Sequence, residues 1–235
     1  MTPLLLLFGF PPHVAVGTDL LYAAVTKSGG VFMHQRQGTI RKRIVLLLLA
    51  GSIPASAVTS LILYKFFPHG GESYSHVLTS TLGFMLIMTS MVLLFKKKIV
   101  ANASHHKPVG LLSSLQSNAT TLTVVMGLIL GTLVTLSSVG AGALGAAILM
   151  VLYPRLPALN VIGTDLAHAV PLTLVAGLFH LMLGNVDFYL LGCLLAGSLP
   201  AIYVGTRVGA KVPDNILHPM LVSTLMALGV KYAFF

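Results

Sequence analysis

Long apolar stretches separated by short polar segments run along the whole chain. Apolar helices are predicted over residues 15–34, 44–64, 74–95, 158–183, 187–206 and 215–233. Each stretch holds about 20 residues, which is the length that a helix needs to cross the hydrocarbon core of a bilayer. The pattern therefore predicts an all-α, polytopic membrane protein whose surroundings are lipid.

One apolar stretch, residues 119–152, is too long for a single crossing. As one helix it would measure roughly 50 Å, against a hydrocarbon core of about 30 Å. Ser137 to Gly145 is rich in glycine and serine, so we predict that the helix breaks there. If the segment folds back as a re-entrant hairpin, Arg155 shares a side with the basic loop 36–43, as the positive-inside rule prefers.

The second half of the chain repeats features of the first half at a fixed spacing of 146 residues. Gly-Thr-Asp-Leu occurs at 17–20 and 163–166, and Gly51-Ser-Ile-Pro is matched by Gly197-Ser-Leu-Pro. Internal repeats of this kind are typical of transporter folds. We predict two tandem repeats joined by a basic, cytoplasmic linker; the boundaries are 1–95, 96–118 and 119–235.

Each predicted repeat contains three crossings and one hairpin, so the two repeats are expected to be inverted relative to each other. The repeat spacing places the counterpart of residues 119–146 before Met1. The first repeat therefore lacks its hairpin, and we expect roughly 28 further apolar, glycine-rich residues in the native protein.

Composition supports the membrane class and excludes several functions. Hydrophobic residues make up 56% of the chain, charged residues 8%, and the mean hydropathy is +0.93. The net charge of +9 lies in short loops, so it indicates membrane topology rather than nucleic-acid binding. The chain has one cysteine and no metalloprotease, serine-hydrolase or Walker motif, so we expect no enzyme activity, no cofactor and no bound metal.

The predicted helix break is the first candidate site. Broken backbone at membrane depth persists only where it is buried or lines a cavity. The freed N–H groups and a helix N-terminus would bind an anion, with serine hydroxyls as further donors. The predicted substrate-binding residues here are Ser137, Ser138, Gly140, Ala141 and Gly142. The alternative is a face of small residues for close helix packing.

The two Gly-Thr-Asp motifs are the second candidate site. We expect the hydroxyls of Thr18 and Thr164 to bind substrate, and the carboxylates of Asp19 and Asp165 to carry a coupling proton. His168 lies on the same helix face as Asp165 and is a candidate proton relay. The alternatives are that each aspartate is a helix N-cap and that the histidine is a buried, satisfied core residue.

Three segments together resemble the sulfite exporter TauE/SafE family: SSVGAGALG, LYPRLPALNVIGTDLAHAVPLTLVAG and FGFPPHVAVGTDLLYAAVTK. The resemblance implies a multi-pass permease of the bacterial inner membrane that carries sulfite or small organosulfur anions. It also implies that the glycine-rich break and the Gly-Thr-Asp helix starts form the substrate path. Many family members carry serine where Asp19 and Asp165 stand, so this chain departs from the family pattern at both positions.

The sequence therefore predicts a secondary transporter for a small anion, sulfite or a related organosulfur anion, with proton coupling and alternating access. We expect no nucleic-acid partner and consider a homo-oligomer. Two alternatives stay open: a cation or metal permease that uses the intramembrane aspartates and histidine, and a membrane subunit that does not transport.

Overall fold

The computed structural model describes residues 1–67, 71–105, 118–140, 142–209 and 214–234, and helix is the only regular secondary structure among them. The helices are α1 (Thr2–Leu7), α2 (Pro12–Arg36), α3 (Lys42–Phe66), α4 (Glu72–His105), α5 (Ala119–Ser137), α6 (Ala143–Leu152), α7 (Ala158–Met182), α8 (Phe188–Gly209) and α9 (Asp214–Phe234). The all-α prediction is confirmed.

Four of these segments are long and apolar enough to cross a membrane: α3, the Glu72–Phe95 part of α4, α5 and α7. The first predicted crossing, α2, has 25 residues, but Asp19, Lys27 and Arg36 interrupt its apolar character. The chain is therefore a multi-pass membrane protein, and charge lies within one of its longest helices.

The helix α4 is longer than predicted. We expected it to end at Phe95 and a polar linker to begin at Lys96, whereas its backbone stays helical to His105. Lysine and alanine are good helix formers, so the basic run does not end the helix. Residues 106–117 of the linker lie outside the described residues.

The helix break lies at residues 138–142, inside the predicted interval. After the break, the chain turns back, and the end of α6 comes close to the start of α5. The evidence is a hydrogen bond of 2.8 Å between the hydroxyls of Thr123 and Tyr153. Thr123 lies in the second turn of α5 and Tyr153 directly follows α6, so both ends of the pair lie on one side. The segment is a hairpin rather than a continuous crossing.

The helices α2 and α7 occupy corresponding positions in the sequence repeat and pack against each other. Both have 25 residues, both follow a proline N-cap, and Pro11 and Pro157 differ by the repeat spacing. Gly177 of α7 packs on Leu21, in the first half of α2, whereas Leu166 reaches Gly30, in its second half. The two helices are therefore antiparallel.

The helices α4 and α9, also matched by the repeat spacing, show the same relation. Gly83 packs on the backbone of Tyr232 and Ala233, and Gly229 packs on Ile87. Because position numbers rise along α4 as they fall along α9, this pair is also antiparallel. Each glycine is required for close approach, since a Cβ at either position would collide with the neighbouring helix.

The core beneath the hairpin is formed where α2, α5 and α7 meet. A buried cluster there joins Val16 and Leu20 of α2, Val134 of α5, and Leu172 and Ala176 of α7. Burial of such side chains contributes roughly 1.5–3 kcal/mol each where the alternative is water. Inside a bilayer the cluster acts mainly through packing, and it holds α7 beside the helix break.

Candidate functional site

The helix break depends on unusual backbone angles. Ser138 has φ 57°, and Gly140 and Gly142 have φ 116° and 141°, which side chains rarely allow. The hydroxyl of Ser137 donates to the Leu133 carbonyl at 2.7 Å and accepts the Val139 N–H at 3.2 Å. Ser137 therefore stabilises the break locally, whereas the buried hydroxyl of Ser138 has no hydrogen-bond partner among the described residues.

The helix α6 begins at the break. The N–H groups of its first residues point toward the break, and a helix start leaves such groups without intrahelical acceptors. Gly142, its N-cap, opens onto a cavity of about 200 Å³ between α4, α6 and α7. Val92, Met150 and Ile162 line this cavity, which is mostly apolar. The predicted site residue Ala141 lies outside the described residues.

Asp165 is buried against the first turn of α6. Only 2% of the residue is exposed, and its carboxylate lies so close to Gly145 that a Cβ there would collide with Oδ1. That oxygen has no hydrogen-bond partner among the described residues. The predicted coupling residue therefore lies at the positive end of the helix that the break creates.

Lys27 of α2 is a charged residue that the sequence reasoning missed. It interacts electrostatically with both Asp165 and Asp19. It could have been found from the sequence, because it is the one lysine or arginine among the first twenty residues of a mostly apolar helix. A lysine within electrostatic range of two buried carboxylates partly offsets their negative charge.

His168 is fully buried one turn after Asp165. Its Nε2 lies 2.9 Å from the Ser52 hydroxyl of α3, and its Nδ1 has no partner among the described residues. Ser52 was also missed as a site residue, although it belongs to the repeated Gly-Ser-Ile-Pro motif. Among all the residues that the structure describes, five buried side-chain polar atoms lack a hydrogen-bond partner. Three of these atoms belong to Ser138, Asp165 and His168.

The two threonines of the Gly-Thr-Asp motifs make matching contacts. The hydroxyl of Thr164 accepts the Arg41 N–H at 3.1 Å, and the hydroxyl of Thr18 accepts the Asp187 N–H at 3.1 Å. Arg41 and Asp187 are themselves 146 residues apart. Thr164 therefore links α7 to the loop before α3, and Thr18 links α2 to the loop before α8. Each contact joins one repeat to the other.

Neither aspartate caps its own helix, so the simple N-cap alternative is wrong. Asp19 and Asp165 each stand in the third turn, well after Pro12 and Ala158, where α2 and α7 begin. Asp19 instead accepts two hydrogen bonds at the start of α1. They come from the Thr2 N–H at 2.8 Å and its hydroxyl at 2.6 Å.

The described residues contain no cluster of three or more histidine, cysteine, aspartate or glutamate side chains able to hold a metal ion. The geometry instead joins three features: a helix N-terminus, a buried carboxylate beside it, and a histidine on the same face of α7.

The sequence profile of the sulfite exporter TauE/SafE family matches residues 1–232. The chain is 33% identical over 234 residues to the Bacillus subtilis (strain 168) protein named "Probable membrane transporter protein YjnA", covering 98% of this chain and 89% of the relative. It is 27% identical over 233 residues to "Probable membrane transporter protein YdhB" of the same organism, with the same coverage. No solved structure gives a significant match.

Proposed function

Because the chain belongs to the sulfite exporter TauE/SafE family, we propose that this membrane transporter moves a small anion by proton-coupled alternating access. Sulfite or a related organosulfur anion is the proposed substrate. The proposed location is the bacterial inner membrane. The proposed role is transport, with no enzyme activity.

The observation that carries this proposal is the position of the Asp165 carboxylate at the first turn of α6. An anion that binds the free amides there meets a buried negative charge at close range, and in a low-dielectric site that repulsion is strong. Protonation of Asp165 removes the repulsion. Anion and proton then bind together, which is the basic requirement for symport.

The surrounding residues have distinct proposed roles. The Ser138 hydroxyl and the amides at Gly140 and Gly142 bind the anion, with Ser137 holding their backbone in place. His168 relays the proton to Asp165 from the α3 side, where Ser52 orients its ring.

Lys27 limits the cost of the ionised state after the proton leaves Asp165, because the ammonium lies within electrostatic range of that carboxylate. Asp19, the other predicted coupling residue, has the lesser part in this scheme, since it is held by Thr2.

The antiparallel pairing of α2 with α7, and of α4 with α9, supports an inverted relation between the two repeats. Inverted repeats allow one rocking motion to expose the same site to either side of the membrane in turn. The site at the end of α6 lies beside α7, so a shift between the repeats changes its access.

Uptake of labelled sulfite into proteoliposomes, with and without an inward proton gradient, tests the function. Sulfoacetate and thiosulfate serve as competitors that define the substrate class, and protein-free liposomes are the control. We expect gradient-driven accumulation that the competitors reduce. Absence of uptake of any anion, together with accumulation of divalent cations, would overturn the proposal in favour of a cation permease.

A further inference from the structure

A second cavity lies away from the helix break, at the helix ends where α3 and α5 begin and the α6–α7 corner turns. It is an open crevice of about 400 Å³. Its lining consists of Arg41, Arg43, Ile44, Leu47, Thr120, Tyr153 and Leu156. The crevice is separate from Asp165 and His168, and the proposed transport chemistry does not use it.

The charge at this crevice is unbalanced. Arg41 is the N-cap of α3, Lys42 and Arg43 follow in its first turn, and no acidic residue lies in that turn. Cations at a helix N-terminus are unfavourable because that end carries partial positive charge. No carboxylate lines the crevice, and no ion pair joins either arginine to an acid among the described residues.

The shape and chemistry of the lining point to a lipid. We infer that the crevice binds the phosphate of an anionic phospholipid, with the guanidinium groups of Arg41 and Arg43 on the phosphate oxygens. Arginine presents a planar fork of donors that matches a phosphate. Thr120 adds a hydroxyl, and the apolar wall of Ile44 and Leu47 lies where the lipid's glycerol and acyl chains begin.

The depth of the crevice agrees with this occupant. The hydrogen bond between Thr123 and Tyr153 holds the start of α5 beside the end of α6. Because α3 and α5 are long and apolar enough to cross a membrane, we expect the crevice at their starts to lie at the polar boundary of the bilayer. Basic pockets between helices at this level bind phospholipid head groups. A hydrated free oxyanion gains no favourable contact from an apolar wall, whereas a lipid does. The apolar wall therefore favours a lipid over a small anion.

Native mass spectrometry of the full chain, titrated with phosphatidylglycerol, tests the site directly. We expect the double variant R41Q/R43Q to lose affinity for phosphatidylglycerol by about tenfold or more, since two charges near the phosphate are removed. The matched control K65Q/K231Q removes two exposed charges that neither line the crevice nor adjoin a lining residue in the chain, and it is expected to keep wild-type affinity. Equal loss in both double variants would overturn the site.

Two further arms separate the outcomes. R41K/R43K keeps the charge on which membrane topology depends but lacks the forked donors, so we expect affinity between wild type and R41Q/R43Q in a chain that inserts normally. Inorganic phosphate and sulfite are the free-oxyanion probes. Displacement of phosphatidylglycerol by either anion at equal concentration, or equal binding of phosphatidylcholine, would overturn the lipid assignment.

Discussion

The two Gly-Thr-Asp motifs have the same sequence but different surroundings. In the first repeat, the Asp19 carboxylate accepts both a backbone N–H and a hydroxyl from Thr2. In the second repeat, Asp165 Oδ1 has no hydrogen-bond partner among the described residues. The Asp19 carboxylate thus has two hydrogen-bond donors in Thr2, whereas Asp165 Oδ1 has none.

The residue one turn later also differs. In the sequence repeat, the residue that corresponds to His168 is Tyr22. Only the second motif therefore has an imidazole one turn after its aspartate. The threonines, by contrast, make the same contact in both repeats. The duplicated motif therefore keeps the same threonine contact in both copies. We propose that proton coupling resides in the second copy alone.

The largest expected effect separates the two aspartates. Asp165→Asn keeps the size of the side chain but cannot exchange a proton, so we expect gradient-driven uptake to fall to the level of protein-free liposomes. Asp19→Asn should keep most of the uptake and lower the free energy of unfolding by about 1 kcal/mol, because its acceptor for Thr2 is weaker. Uptake and denaturant titration of both variants, in the same lipid, provide the measurement.

An equal loss of uptake in both variants would show that the two copies share the coupling role. A loss confined to Asp19→Asn would reverse the comparison. If Asp165→Asn still transports but no longer responds to the proton gradient, the carboxylate couples the proton without being needed for anion passage.

Gly145 provides the second test, because it is the position against which the Asp165 carboxylate packs. Gly145→Ala places a methyl group on Oδ1, so we expect loss of most uptake and a decrease of about 1–3 kcal/mol in the free energy of unfolding. Gly29→Ala is the matched control, since the space around that helical glycine is open. It should be neutral or slightly stabilising. Full uptake by Gly145→Ala would contradict a functional carboxylate at this turn.

Much of this fold follows from the sequence alone because apolar length and breaking residues are local signals. The 34-residue stretch could not be one crossing, and the glycines from 140 to 145 are placed where the chain turns. The correspondence of α2 and α7 was predictable for a different reason, because both helices contain the repeated Gly-Thr-Asp-Leu motif. The end of α4 was not predicted, since lysines end an apolar span without ending a helix.

The site was less predictable because its geometry depends on contacts between distant helices. No local pattern shows that Asp165 packs on Gly145, or that Ser52, more than a hundred residues away, meets His168. Lys27 was visible as a lone cation in an apolar helix, but its relation to both aspartates required the antiparallel packing of α2 and α7. Asp19 and Asp165 are indistinguishable from their motifs.

The pair formed by Ser52 and His168 gives a smaller effect. Ser52→Ala leaves a buried ring nitrogen without its partner, so we expect a decrease of about 1–2 kcal/mol in the free energy of unfolding. Among the described residues, its counterpart Ser198 donates to the Leu195 carbonyl of its own helix at 3.4 Å, and Ser198→Ala should cost less. A double-mutant cycle of Ser52→Ala with His168→Ala should give a coupling energy of about 1 kcal/mol. A coupling energy near zero would remove Ser52 as the residue that orients the ring.

The smallest expected effect concerns the threonines, where the two repeats should behave alike. Thr18→Ala and Thr164→Ala each remove one acceptor for a backbone N–H, so each should lower the free energy of unfolding by about 0.5–1.5 kcal/mol, and serine at either position should restore it. If the hydroxyls fasten the repeats, the KM for sulfite stays near wild type in both variants. If Thr164 binds substrate, Thr164→Ala raises the KM while Thr18→Ala does not, and the asymmetry of the aspartates then extends to the whole motif.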